Sequence, residues 1–114
     1  MPNEPIALCP LDQCPEGQPV AVETLIDGLV ESLIIWRDAD ELRVFLNICP
    51  HAGRRLDYAP GKFLLQNDRL ICAAHGAAFA LRDGHCLSGP CRGQALRTLT
   101  ARVIDGMICL PATD

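Results

Sequence analysis

Leu42-Arg43-Val44-Phe45-Leu46-Asn47-Ile48 runs without a break into Cys49-Pro50-His51. The first part alternates well enough to be a half-buried strand, and the second sets a thiol and an imidazole in a segment suited to a loop. A strand that delivers a ligand is the pattern on which the rest of the chain turns. It returns downstream, where Arg69-Leu70-Ile71 leads into Cys72-Ala73-Ala74-His75. Each half offers one thiolate and one imidazole in the same order, and twenty residues separate His51 from Cys72, enough for a β-excursion out and back. Two loops can bring four ligands together.

The grouping of the ligands points to the metal. Structural zinc sites usually draw like ligands from one knuckle, Cys with Cys and His with His, around a single ion. Here both loops are mixed. A centre with two irons accounts for the mixing: the loops clasp a [2Fe–2S] cluster from opposite sides, Cys49 and Cys72 on one iron, His51 and His75 on the other. Two neutral imidazoles in place of thiolates make such a cluster less negative and raise its reduction potential. Mononuclear zinc is the alternative that the residues alone leave open.

Working outward from the ligand segments, turn signals divide the chain into short apolar runs. Ile6-Ala7-Leu8-Cys9 is a strand candidate before a turn-rich segment from Pro10 to Pro19. Val20 to Ile26 reads as a strand that Asp27-Gly28 turns back into Leu29 to Arg37, and Asp-Gly between β-rich runs is a strong hairpin signal. A second tight turn at Asp38-Ala39-Asp40 leads to the strand from Leu42. Between the ligand segments, Lys62 to Gln66 turns at Asn67-Asp68 into the strand that ends at Ile71. Ala77 to Leu81 then returns, Asp83-Gly84 turns, Ala95 to Ile104 alternates as one long strand, and Asp105-Gly106 folds it onto Met107 to Leu110. No segment keeps a helical period. The expected fold is all-β, built of small antiparallel sheets.

Composition bounds the rest. A chain of 114 residues supports one domain, 1–114, and an apolar share of 49% gives it an adequate core without room for a second catalytic domain. A net charge of −4, with no basic cluster beyond Arg54-Arg55, argues against a nucleic-acid face. Purely apolar runs, such as Leu33 to Trp36, fall far short of the roughly 20 residues a membrane helix needs. Met1-Pro2-Asn3-Glu4-Pro5 lacks the basic and apolar regions of a secretory signal, so a cytoplasmic location is expected. Seven cysteines are an odd number, below the density of a disulfide scaffold, and suit a reducing compartment.

Cys49-Pro50-His51-Ala52-Gly53 and Cys72-Ala73-Ala74-His75-Gly76 resemble the two cluster-binding boxes of Rieske iron–sulfur proteins. Ser88-Gly89-Pro90 is similar to the third, proline-containing loop that shields the cluster in that family, and the likeness extends from about Leu42 to Leu110. It implies a Rieske-like fold with a cluster-binding subdomain, about 47–92, made by two ligand loops and the proline loop. It also implies a [2Fe–2S] cofactor held by Cys49, His51, Cys72 and His75, and one-electron transfer from a reductase to an oxygenase or other terminal acceptor. The chain then resembles a free-standing ferredoxin, monomeric when isolated and not an enzyme by itself. A small subunit bound stably to a larger oxidoreductase, and a zinc-stabilised interaction module, are the competing readings.

Departures from the family pattern carry information. Rieske proteins of respiratory complexes have an extra Cys in each box, joined as a disulfide, and the matching positions here are Arg54 and Ala73. Hydroxyl-bearing Ser and Tyr residues near the cluster in those proteins correspond to Ala77 and Phe79. Fewer donors imply a potential towards the low end of the Rieske range. Because a bound imidazole keeps an ionisable N–H, reduction is expected to couple to proton uptake at alkaline pH.

The remaining residues have simpler readings. Gly53 and Gly76 let backbone amides approach the cluster sulfurs, or are ordinary turn glycines. Pro90 excludes water from the cluster, or merely rigidifies a turn. His85 is expected in a solvated hairpin tip. Cys86 and Cys91 flank the proline loop and are expected as free thiols, with pairing as the alternative, while Cys9, Cys14 and Cys109 read as small apolar residues. Arg54-Arg55 is a solvated charge pair or a docking contact.

Overall fold

The computed structural model of the chain describes residues 5–38, 41–50, 53, 55–72, 76–89 and 91–110. Among these residues there is no α-helix, only a single 3-10 turn at Leu11–Gln13. The strands in chain order are β1 (Ile6–Pro10), β2 (Val20–Ile26), β3 (Leu29–Asp38) and β4 (Glu41–Leu46). After the first ligand segment come β5 (Leu64–Gln66), β6 (Arg69–Ile71), β7 (Ala78–Ala80) and β8 (Cys86–Ser88). The chain closes with β9 (Thr98–Leu99), β10 (Arg102–Ile104) and β11 (Met107–Leu110). They form three small sheets ordered β1-β11-β10, β2-β3-β4-β9 and β5-β6-β7-β8. Every strand pairing is antiparallel.

Strand β3 explains why Leu33 to Trp36 is apolar without alternation. Successive side chains of a strand point to opposite faces. Leu33 and Ile35 enter a core with Val44, Ile108 and Leu110, whereas Ile34 and Trp36 enter a second core with Phe45, Leu70, Phe79 and Leu96. Both faces are covered, so neither has to be polar. Each fully buried aliphatic or aromatic side chain there contributes about 1.5–3 kcal/mol.

The turns have the backbone that the hairpins need. Asp27-Gly28 has φ of 52° and 82°, and Asp105-Gly106 has 51° and 78°. Two successive positive φ values give the mirror-image turn whose twist matches the flanking strands. Asn67 and Asp68 take the same form at 48° and 62° with no glycine at all. Strand β3 pairs with β4 so that Asp38 faces Glu41, while the expected turn residues Ala39 and Asp40 lie outside the described set.

The run from Ala95 to Ile104 is not one strand. Thr98–Leu99 pairs with β4, and Arg102–Ile104 pairs with β11 in a different sheet. Leu99 and Ala101 nevertheless pack on the same core, the one containing Leu33 and Val44. A period of two therefore crosses the sheet boundary, and that is why the pattern read as continuous. The strand feeding the first ligand segment also stops early, at Leu46, and Asn47 makes the bend.

Candidate metal centre

Cys49 and Cys72 come together in one apolar core. Both are buried, uncrosslinked thiols, packed in a cluster with Phe79, Cys86, Cys91 and Leu96. Each starts a loop with the same closure. The Gly53 amide donates to the Cys49 carbonyl at 2.9 Å, and the Gly76 amide donates to the Cys72 carbonyl at 2.8 Å. Each glycine is four residues beyond its cysteine and left-handed, with φ of 67° and 74°. An added Cβ would meet nothing within 4 Å at either position. Both glycines thus close their turns in a left-handed conformation that glycine takes at no steric cost.

The ends of the first loop are latched by a polar network. Asn47, buried, donates to Ser32 Oγ (3.1 Å) and to Asp57 Oδ1 (3.3 Å), and accepts from the Leu56 amide at 2.9 Å. Asp57 also accepts a bidentate pair from Arg55 (2.9 and 2.8 Å) and a bond from the Gly61 amide (3.0 Å). Hydrogen bonding to Arg55 is the main cause holding the Asp57 carboxyl below the usual carboxylate range. Arg55 is exposed, as its sequence position suggested, and is paired with Asp57, with Glu23 at 3.9 Å. Sequence reading missed this latch. Its signal was Asn47 itself, a polar side chain just past a strand that buries Val44 and Phe45.

The third loop meets both ligand loops. Gly89 has φ of 97°, and a Cβ there would lie 2.8 Å from the Ala77 Cα. No other residue fits that crossing. Cys91, beyond it, is buried with its Sγ 3.5 Å from Cys49 Sγ. Cys86 and Cys91 are both free, and Cys86 Sγ instead donates to the Ser88 carbonyl at 3.3 Å. Ala77 and Phe79 are buried and bring no hydroxyl.

His51, His75 and Pro90 lie outside the described residues, as do Arg54 and Ala73. His85 is described, and is exposed with its amide bonded to Asp83 Oδ1 at 2.9 Å. It lies just past the turn rather than at its tip. Cys9 and Cys14 form a separate sulfur pair at 3.3 Å, where burial, then contact with Cys14, pushes the Cys9 thiol up to about 12. A thiol so raised stays protonated and behaves as a small apolar residue. Among the described residues no helix is long and apolar enough to cross a membrane.

Small antiparallel sheets that feed two thiol-bearing loops into one core, with a third loop across them, define a metal-cluster domain. The family of Rieske [2Fe-2S] domains matches residues 4–104, and the chain belongs to it. Its cofactor is a [2Fe–2S] cluster, and two buried, unpaired thiols are donors suited to one.

The solved structures give the same fold. The ferredoxin of carbazole 1,9a-dioxygenase from Nocardioides aromaticivorans IC177 is 28% identical with a TM-score of 0.72, over 95% of this chain and 97% of that one. The Sphingomonas yanoikuyae B1 ferredoxin is 23% identical with a TM-score of 0.74, over 95% and 98%. The terminal oxygenase of carbazole 1,9a-dioxygenase from Novosphingobium sp. KA1 is 22% identical with a TM-score of 0.77, over 98% of this chain but only 30% of that one. No curated protein sequence matches. Family and ferredoxin neighbours together support an electron carrier.

Proposed function

We propose that the chain is a one-electron carrier of the Rieske ferredoxin type, accepting an electron from a reductase and passing it to an oxygenase or other terminal acceptor protein. The observation that carries this reading is the likeness to a ferredoxin within the Rieske family. The chain is 28% identical to the ferredoxin of a carbazole dioxygenase and shares its fold with a TM-score of 0.72.

Cys49, His51, Cys72 and His75 are the proposed ligands, within one domain whose cluster-binding part is about 47–92. The bound cluster supplies a one-electron couple. Cys49 and Cys72 would hold it from the protein core, and the imidazoles of His51 and His75 would complete the ligand set and offer the route in and out. The latch at Asn47 and Asp57 keeps the first loop closed on its cysteine. Seven free thiols accord with a reducing, cytoplasmic setting.

The test is a coupled assay with an NADH-dependent ferredoxin reductase and a Rieske oxygenase, run beside gel filtration of the isolated chain. A carrier is reduced by the first, reoxidised by the second, and elutes as a monomer. A chain that keeps its cluster but exchanges no electron with either contradicts the carrier role. For the ligands, Cys49→Ser and His75→Ala should each lose iron and sulfide. Full cluster retention in either would remove that residue from the set.

A further inference from the structure

We infer that Cys91 is a positioning residue for the redox centre: its thiol donates a hydrogen bond to Cys49 Sγ and raises the reduction potential of the bound cluster. The inference rests on Cys49 being a ligand. The sulfur inventory of this core supports it. Cys86 is satisfied by the Ser88 carbonyl at 3.3 Å, while Cys91, fully buried, has Cys49 Sγ at 3.5 Å as its polar neighbour. In the metal-free protein either sulfur could donate. Once Cys49 ligates iron it is a thiolate without a proton, so only Cys91 can be the donor.

The loop that carries Cys91 is built to hold it there. The Arg92 amide donates to the Gly89 carbonyl (3.2 Å) and the Gln94 amide to the Cys91 carbonyl (2.8 Å), closing two successive turns. Gly89 is seated on the Ala77 backbone so closely that a Cβ would come within 2.8 Å of its Cα. The third loop thus touches the second ligand loop through Gly89 and the first through Cys91.

A donor at a ligating sulfur withdraws charge and favours the more negative, reduced state. Ala77 and Phe79 bring no hydroxyl to the site. An S–H donor is weaker than O–H, so Cys91 restores part of what a hydroxyl would contribute.

The test is the midpoint potential of the cluster-loaded wild type, Cys91→Ala and Cys91→Ser, with iron and sulfide content and visible circular dichroism reporting cluster integrity. Resonance Raman spectra in light and heavy water follow the iron–thiolate stretch. The expected result is a lower midpoint in C91A, a midpoint at or above wild type in C91S, and a deuterium shift that C91A abolishes. An intact cluster in C91A with an unchanged or higher midpoint overturns the inference and leaves the ligand reading standing. If C91A fails to fold, the C91S midpoint and the wild-type deuterium shift decide: a fall in the first, or absence of the second, overturns it. A wild type that binds no iron overturns the ligand reading, and this inference with it.

Discussion

A single missing Cβ decides whether the third loop can cross the second. Gly53 and Gly89 both have positive φ, but only at Gly89 does a neighbouring backbone occupy the space. Gly53→Ala meets only the left-handed backbone cost, about 1–2 kcal/mol. Gly89→Ala adds overpacking against Ala77, about 1–3 kcal/mol more. Chemical denaturation of the two variants should rank them in that order, and equal losses would contradict the crossing. Legibility at this scale follows chemistry. As candidate ligands, Cys49 and Cys72 were readable because thiols paired with imidazoles are rare outside metal sites. The approach of Cys91 to Cys49 was not, because it depends on the path of a loop that joins residues 42 positions apart.

Local elements carry two further expectations. In the β5–β6 turn, Asp68 takes φ of 62° where glycine is the residue best suited. Asp68→Gly should stabilise the protein by about 0.5 kcal/mol, the relief of a left-handed side chain less the added freedom of the unfolded chain. A fall in the thermal midpoint would refute it. The latch on the first loop is pH-sensitive. Asp57 is depressed in the folded state, chiefly by Arg55, so its contribution is complete above the ordinary carboxylate value of about 3.9. It is lost as pH falls through the folded value. Urea midpoints taken between about pH 5 and pH 3 should drop less steeply in Asp57→Asn than in wild type, although the variant is weaker at neutral pH. Hairpins were legible at this scale because Asp-Gly has few other uses between apolar runs. The break after Leu99 was hidden, since Leu99 and Ala101 keep their alternation by serving one core across two sheets.

Over the whole molecule, β3 and β4 divide two cores. One is closed by β1 and β11, and the other gathers Cys49, Cys72, Cys86 and Cys91 around Phe79. Binding energy at a metal centre is folding energy for the part that holds it. Removing iron should therefore speed amide exchange in β6, β7 and the loop to Cys91 far more than in β2 and β3, and uniform loss of protection would contradict this division. The all-β class was readable from short strands and absent helical period, whereas the division into cores depends on which face of β3 meets which sheet. The central claim, a redox cluster held by mixed ligands, is met most directly by electron paramagnetic resonance of anaerobically purified protein before and after dithionite, with iron, sulfide and zinc analysis. The account predicts a silent oxidised sample, a rhombic signal on reduction, and about two irons per chain. No signal, with about one zinc per chain, would contradict it.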